Sequence, residues 1–254
     1  MPRKARIVSG GVCFHVINRG NERARIFHCD EDYRYFMFAF LKAQERGPLE
    51  ILAACLMPNH VHLVLRPRGS GDLSKWMQRA MTAHVRWHHA RYQTTGRLWQ
   101  GRYKLFPIQQ DRHLLTVMRY VERNALRAGL VERAEKWAWC SLAWREGEWR
   151  HVLTDPPVPL GPNWLEYVNA PQTTAELEAL RTCVNRQRPY GSDDWVQRTA
   201  ETLGLTAAMN SRGRPRLAAT SERLETPDLF SGRREAADTG DSHRPRRIFP
   251  GSTK

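Results

Sequence analysis

The sequence contains no long hydrophobic run. None of its apolar stretches approaches the roughly 20 residues that a helix needs to cross a bilayer. The N-terminal segment MPRKARIVSGG carries charges, but no apolar segment follows it, so a secretory signal is not expected. We therefore predict a cytoplasmic protein with no membrane partner.

Cysteine is scarce and scattered. The five cysteines form no C-x-x-C pair, and they are Cys13, Cys29, Cys55, Cys140 and Cys183. This spacing argues against both a disulfide framework and a cysteine zinc site. Cys13 and Cys55 lie in apolar runs that are typical of strands, so we expect both to be small buried hydrophobes.

Acidic residues are outnumbered by basic ones. The chain has 40 Lys and Arg against 26 Asp and Glu, which gives a formal net charge of +14. Such a surplus favours a polyanionic partner, and nucleic acid is the first candidate. The length of 254 residues allows one sizeable domain and a smaller appendage.

Strand and helix patterns alternate over the first half of the chain. Periodicity, caps and turn residues predict strands at 11–17, 49–57, 60–66 and 97–109, and helices at 30–46, 72–92 and from Asp111 to about 124–128. The interleaving predicts an α+β fold in which helices flank an antiparallel sheet.

The remainder of the chain is less regular. Residues 151–209 are predicted to form a helical and irregular extension, with one short helix at 173–186. Residues 210–254 contain few large apolar side chains and many Arg, Ser, Thr, Pro and Gly. We therefore predict an extended basic C-terminal tail that is disordered when free.

The segment MPNHVHLVL, residues 57–65, places two histidines one residue apart in an apolar run. Side chains alternate between the faces of a strand, so His60 and His62 should point outward together while Val61, Leu63 and Leu65 line the core. Two neutral imidazoles on one strand face can jointly bind a divalent cation. Taken alone, the pair is weak evidence for a metal site, because most histidines are structural or exposed.

The predicted helix that starts at Asp111 supplies further candidates. Tyr120 and Asn124 are four residues apart and share one helical face, opposite the apolar stripe of Leu114, Val117, Met118 and Val121. We therefore expect Tyr120 on the polar side of this helix, either as a reactive group or as an amphipathic residue whose hydroxyl lies in water.

These side chains suggest a reaction. A Mg²⁺ or Mn²⁺ ion held by His60, His62 and the Asn124 side-chain oxygen would polarise a phosphodiester, and Tyr120 would attack the phosphorus. The phenol needs help to ionise at neutral pH. Arg123 or Arg127 could lower its pKa, although both could simply bind phosphates, and the sequence does not identify the helper.

Five segments carry a family resemblance. They are HVINRGN (15–21), MPNHVHLVL (57–65), LSKWMQ (73–78), RLWQGRYK (97–104) and RYVERNALRAGLV (119–131). Together they resemble the REP-associated tyrosine transposases of the single-tyrosine HUH superfamily, and they do so in order over about residues 1–150. RPYGSDDWV (188–196) followed by RGRPR (212–216) resembles the C-terminal segment of that group.

The resemblance implies an HUH single-tyrosine catalytic domain at 1–150 with a ferredoxin-like core. It implies that His60, His62 and Asn124 are metal ligands and that Tyr120 is the nucleophile. The implied activity is nicking and joining of single-stranded or hairpin DNA through a 5′-phosphotyrosine intermediate, as in DNA transposition or REP-element processing. The family commonly has Asn-Pro where this chain has Asn124-Ala125, and alanine lets the helix continue.

Aromatic and basic residues near the motifs are candidate DNA contacts, since stacking and phosphate neutralisation bind single strands. They are His15, Asn18, Arg19, Asn21, Trp99, Arg102, Tyr103, Lys104, Arg123, Arg127, Arg212 and Arg214. The last two belong to RGRPR, which resembles an AT-hook core. The ending of TPDLF, Asp228, Leu229 and Phe230, resembles peptides that dock on sliding clamps.

Two other functions compete with this interpretation. One is a non-catalytic DNA-binding regulator derived from a transposase. The other is a histidine-triad nucleotide hydrolase, which would need a third histidine where the chain has Val64. The sequence leaves open the metal, the DNA sequence recognised, the monomeric or homodimeric state, and whether Tyr120 serves its own subunit.

Overall fold

A β-α-β-β-α-β unit forms the centre of the computed structural model, which describes residues 7–47 and 49–210. Its elements are β1 (Cys13–Arg19), α1 (Asp30–Gln44), β2 (Leu49–Met57), β3 (His60–Pro67), α2 (Asp72–Tyr92) and β4 (Lys104–Ile108). The sheet order is β2-β3-β1-β4, and every neighbouring pair is antiparallel. This arrangement is ferredoxin-like, and it confirms the predicted α+β fold with an antiparallel sheet flanked by helices.

Local signals explain where these elements begin and end. Pro58 and Asn59 form the turn between β2 and β3, whose first paired residues are Met57 and His60. The Asp32 carboxylate accepts backbone N–H bonds from the residues that precede α1, which satisfies donors that a helix start leaves free. Gly71 enters α2 with a φ of 90°, a left-handed conformation that glycine adopts without a steric penalty.

The two faces of the sheet are both covered. Val61, Leu63 and Leu65 pack against α1 and α2, as the alternation predicted. The opposite face of β3 packs under a further helix, α3 (Arg112–Glu122), in a second apolar core that contains Val64. The prediction that the histidine face of β3 points outward is therefore wrong, because α3 and the segments after it cover that face.

Two predicted element bounds need correction. The fourth strand begins only at Lys104, because residues 98–100 instead hydrogen-bond to the end of β1: Leu98 O accepts from Asn21 N, and Gln100 N donates to Arg19 O, both at 2.8 Å. The helix predicted from Asp111 ends at Glu122, and a short helix, α4 (Asn124–Arg127), resumes after one residue. Asp111 caps α3, as predicted, by accepting a hydrogen bond from His113 N at 2.8 Å.

Short helices follow α4. They are α5 (Ser141–Trp144), α6 (Trp164–Asn169), α7 (Thr174–Arg186), α8 (Asp193–Thr202) and α9 (Thr206–Met209), with 3-10 turns at Asn21–Arg23, Ala134–Lys136 and Glu148–Val152. The prediction of a short helix at 173–186 is confirmed by α7. The tail after 210 lies outside the described residues.

A buried carboxylate ties this second half of the chain to α3. Glu122 is fully buried, and its oxygens accept hydrogen bonds from Ser141 Oγ at 2.7 Å, Arg145 Nη2 at 2.6 Å and Trp164 Nε1 at 2.7 Å. These donors compensate the carboxylate for its loss of water. The network fixes α5 and α6 against the helix that carries Tyr120. None of the helices in the described ranges has the length and apolar content needed to span a membrane.

Candidate active site and nucleic-acid interface

His62 lies in the middle of the sheet and is anchored by a second histidine. In the register between β1 and β3, His62 pairs with Ile17, and His15 stands diagonally across on the same face. His15 Nε2 and His62 Nδ1 are 2.9 Å apart and share a hydrogen bond. Since Nδ1 of His62 is engaged, Nε2 is the nitrogen that remains for a ligand, and His15 holds the ring in its orientation.

His60 is anchored in the same way from the turn before β3. Its Nδ1 is 2.6 Å from the side-chain oxygen Oδ1 of Asn59, an oxygen that can only accept, so Nδ1 carries the proton. The lone pair of this ring is therefore on Nε2. The rings of His60 and His62 are 4.9 Å apart between centroids. Each ring thus offers its Nε2 nitrogen, and each is positioned by a bond at Nδ1.

Burial keeps the histidines of this site neutral. It lowers the pKa of His15 to about 3 and that of His60 to about 4, and it holds the pKa of His62 well below its usual range. For His60 and His62 the charges of Arg19 and Arg127 add to the lowering. Neutral imidazoles at physiological pH are the form that binds a metal.

Tyr120 packs against the histidine pair. Its ring meets the His62 ring edge-on at 5.8 Å between centroids, and it meets the His15 ring at 6.2 Å. The pattern placed Tyr120 on the polar side of its helix, and the structure shows that this side is covered, since the residue is only 8% exposed. The second core covers this side of α3, which turns the tyrosine inward toward β3.

Arg127 connects Tyr120 with Asn124. Its guanidinium carbon lies 4.2 Å from the centre of the Tyr120 ring, and its Nη2 donates to Asn124 Oδ1 at 2.9 Å. Burial lowers the pKa of Arg127, but a guanidinium stays charged in a protein. The positive charge of Arg127 therefore lies within hydrogen-bond distance of the oxygen that was predicted to bind the metal ion.

The donor set suits a divalent cation. Asn124 is buried, and its Nδ2 has no hydrogen-bond partner within residues 7–47 and 49–210, so the amide is incompletely satisfied there. Two neutral imidazole nitrogens and an amide oxygen suit Mn²⁺, and Mg²⁺ would keep several waters. Within the described residues, no group of three or more His, Cys, Asp or Glu side chains is placed to hold a metal. The pair of histidines with Asn124 thus remains the candidate set.

Comparison with known proteins shows what this part of the chain resembles. A family described as "Transposase IS200 like" matches residues 9–124. Residues 9–124 are therefore similar to the IS200-like transposases. The resemblance to REP-associated tyrosine transposases is confirmed by a curated protein of that name from Escherichia coli strain K12, which is 24% identical over 136 residues, 51% of this chain and 75% of that protein.

Two further relatives are similar over comparable lengths. A relative from Haemophilus influenzae, ascribed to the same group, is 26% identical over 118 residues, 42% of this chain and 66% of that protein. A solved structure described as a REP-associated tyrosine transposase bound to a REP hairpin has 18% identity and a TM-score of 0.49. The likeness covers 68% of this chain and 92% of that one.

Two of the residues predicted to contact DNA have other roles in the fold. His15 is fully buried between Phe106 and Tyr120, so it supports His62 and cannot reach a strand on the surface. Arg123 Nη1 donates to the carbonyl oxygens of Val168 and Asn169, at 3.4 and 2.6 Å. Arg123 thus holds the end of α6, because the C-terminal half of the chain packs over α3.

The other candidates form a surface beside the histidine pair. Arg19 is opposite His60 in the sheet register, and it lines a cleft of about 290 Å³ together with Arg102 and Lys104. Asn18, Trp99 and Tyr103 line a neighbouring pocket. Trp99 is 7% exposed, so little of its ring is accessible from that pocket. Asn21 is half-buried where its N–H binds Leu98.

Several predicted contacts lie outside the described residues, namely Arg212, Arg214, Asp228, Leu229 and Phe230. Other residues of the site were not predicted. Asn59, which orients His60, is part of the PNHVH motif, so its position next to a candidate ligand was an available signal. Val184 and Asn185 of α7 line the cleft beside Lys104, and no local pattern could have indicated this long-range contact.

Proposed function

We propose that this chain nicks and rejoins single-stranded DNA through a covalent bond to Tyr120. The observation that carries the proposal is the edge-on contact between the Tyr120 ring and His62, the buried imidazole of the candidate metal pair. A tyrosine and a pair of neutral imidazoles in contact place a nucleophile beside a potential Lewis-acid site.

The chemistry is a transesterification. The Tyr120 hydroxyl oxygen attacks the phosphorus, the bond from phosphorus to the 3′ oxygen breaks, and a 5′-phosphotyrosine forms. The phenolic proton leaves to solvent, and the departing 3′ oxygen takes up a proton to become a hydroxyl. An incoming 3′-hydroxyl reverses the step, so joining needs no external energy source.

A divalent metal, Mg²⁺ or Mn²⁺, would be held by Nε2 of His60, Nε2 of His62 and Oδ1 of Asn124. When bound, such an ion polarises a phosphodiester as a Lewis acid. Asn59 and His15 hold the two imidazoles in position through their Nδ1 atoms. The Arg127 guanidinium donates to Asn124 Oδ1, so its positive charge would lie beside the ion and oppose its binding.

Charged side chains of the chain bind and orient the strand. Arg127, over the Tyr120 ring, holds the phenol in place and supplies positive charge where phosphate charge develops. Arg19, next to His60 across the sheet, and the exposed Lys104 bind flanking phosphates. The burial of His62 and Tyr120 excludes water, which strengthens these electrostatic interactions.

The proposed substrate is single-stranded DNA that contains a hairpin. The net charge of +14 favours a polyanion, and the name of the Escherichia coli relative associates that protein with REP elements. A catalytic role is favoured over a non-catalytic regulator because Tyr120 packs against His62 and Asn124 is buried and bound to the arginine that covers the Tyr120 ring.

The test uses labelled single strands taken from the repeats that flank the coding sequence, incubated with Mn²⁺ or Mg²⁺. The wild-type protein should form an adduct that survives denaturing electrophoresis. Tyr120→Phe should form none while binding the same strands with unchanged affinity. Adducts that persist in Tyr120→Phe overturn the assignment, and a wild-type protein that binds without cutting favours the regulator.

A further inference from the structure

Two clefts lie side by side at the end of β1 and share a wall. The first, which we call the cationic cleft, measures about 290 Å³ and contains Arg19, Arg102 and Lys104. The second, which we call the side pocket, measures about 420 Å³ and lies between β1, α2 and the segment before β4. Asn18, Gly101 and Arg102 line both of them. A strand bound in the cationic cleft therefore passes directly by the side pocket.

The side pocket combines apolar walls with a buried amide. Met77, Met81 and Trp99 line it, and Asn18 stands among them with 7% of its surface exposed. Thioether and aromatic groups of this kind pack well against flat rings. Polar groups on the rim, from Ser74, Gln78 and Thr82, leave the mouth open to a hydrophilic ligand.

The hydrogen-bonding capacity of Asn18 is largely unused. Its Nδ2 carries two N–H donors, and among the described residues their one partner is the sulfur of Met81 at 3.7 Å, a weak acceptor. Its Oδ1 accepts from the backbone N–H of Arg19 at 3.1 Å, which orients the amide and leaves a second lone pair. The Trp99 indole N–H is also buried, and no residue in the described part of the chain accepts from it. Buried donors left unpaired in this way call for a ligand that pairs with them.

The wall between the clefts is suited to the passage of a nucleotide. Gly101 has a φ of 155°, and a Cβ built there would meet nothing within 4 Å. The backbone at Gly101 is thus bare and faces open space, which allows a ligand to approach it closely.

We propose that the side pocket binds one unstacked adenine of the DNA strand, read by the amide of Asn18. An asparagine amide pairs with adenine in two hydrogen bonds, since N6 donates to Oδ1 and N7 accepts from Nδ2. The purine ring lies against Met77 and Met81, and the phosphates on either side remain in the cationic cleft. This inference rests on the proposed function, because the ligand is the same single strand that Tyr120 attacks.

The experiment measures binding in a Tyr120→Phe background, so that strand cleavage does not interfere. The probes are three fluorescent 20-mers at one salt concentration: d(CA) repeats, d(CT) repeats, and d(CA) repeats in which every adenine is 7-deazaadenine. The d(CA) probe should bind about tenfold more tightly than the d(CT) probe, and the 7-deaza probe should lose that advantage.

Variants locate the effect. Asn18→Leu should bind d(CA) and d(CT) equally. Asn185→Leu, the same substitution on an exposed residue of the cationic cleft alone, should retain the tenfold preference. Equal affinity of the Tyr120→Phe protein for d(CA) and d(CT), or a preference that survives 7-deazaadenine or Asn18→Leu, overturns the proposal. If Asn18→Leu does not fold, the 7-deaza probe still tests the proposal, because it changes only the DNA. Adduct formation by the wild-type protein is measured separately, so that failure of the proposed function is distinguished from failure of this inference.

Discussion

The guanidinium of Arg127 covers the Tyr120 ring at 4.2 Å, and the same group donates to Asn124 Oδ1 at 2.9 Å. One cation thus contacts both the proposed nucleophile and the proposed third metal ligand. The two charges, guanidinium and metal, compete for the same amide oxygen. Metal binding and the position of Arg127 are therefore linked.

Removing the positive charge of Arg127 should strengthen metal binding and weaken catalysis. Arg127→Met keeps the aliphatic stem over the Tyr120 ring but removes the cation. We expect Mn²⁺ affinity, measured by titration calorimetry, to rise several-fold, about 1 kcal/mol for a screened charge pair. Adduct formation at saturating Mn²⁺ should fall. Arg123→Met is the matched control, because Arg123 binds backbone carbonyls of α6 and not Asn124. Weaker Mn²⁺ binding by Arg127→Met than by the wild-type protein would refute the competition between Arg127 and the metal.

The hydrogen bond from His15 should matter for the metal and not for DNA. His15→Phe leaves His62 Nδ1 without its partner at 2.9 Å, so the His62 ring loses its fixed orientation. Loss of such a support typically costs about 10- to 100-fold in metal affinity. Mn²⁺ titration should show this loss, whereas binding of a single strand without metal should be unchanged. An unaltered Mn²⁺ affinity would show that His62 does not depend on His15.

Glu122 should be a major source of stability for the second half of the chain. Glu122→Ala leaves Arg145, a mostly buried cation, without its carboxylate and also removes the acceptor of Trp164 Nε1. Breaking a buried pair in this way costs about 3–5 kcal/mol. Urea unfolding measures the loss. Glu45→Ala is the control, because it breaks an exposed pair with Lys42 and should lower the free energy of unfolding by about 1 kcal/mol or less. Equal losses in the two variants would contradict a structural role for Glu122.

His84 should make the stability of the protein depend on pH. The residue is fully buried beside Phe27 and Phe36, and neither ring nitrogen has a hydrogen-bond partner among the residues that the structure describes. Burial lowers the pKa of His84 to about 3. Below its ordinary pKa of 6.5 the unfolded chain binds a proton that the folded chain does not, so stability falls as the pH falls.

The size of this effect follows from the shift. Between pH 6.5 and pH 5, His84 lowers the free energy of unfolding by about 2 kcal/mol. His84→Phe should remove this part of the pH dependence in urea unfolding experiments. The reference is the stability difference between the wild-type protein and the variant at pH 7.5, where the imidazole is neutral in the folded and the unfolded chain. An unchanged slope in the variant would mean that His84 takes up its proton in the folded state.

The sequence was most informative where local pattern and tertiary structure agree. The two apolar runs at 49–57 and 60–66, joined by Pro58 and Asn59, predicted the β2–β3 hairpin. Alternation within 60–66 predicted the core face of Val61, Leu63 and Leu65. The spacing of His60 and His62 predicted their common face. These features depend only on the period of a strand, so a short window of sequence contains them.

The environment of Tyr120 could not be predicted in the same way. A helical wheel predicts which side of α3 is apolar, but it does not indicate that the other side packs against β3 and the segment around Trp164. The contacts of His15 and Arg123 were missed for the same reason, since their partners are 47 and 46 residues away. Long-range packing, and not local propensity, decided these roles.

The most direct test of the account is to locate the covalent bond. The wild-type protein is incubated with a single strand and Mn²⁺, the DNA is trimmed with nuclease, and the protein is digested with trypsin. Cleavage after Arg119 and Arg123 releases the peptide YVER, which begins with Tyr120. Mass spectrometry should find the nucleotide on this peptide, attached through the tyrosine. A nucleotide on any other residue, with YVER unmodified, would contradict Tyr120 as the nucleophile.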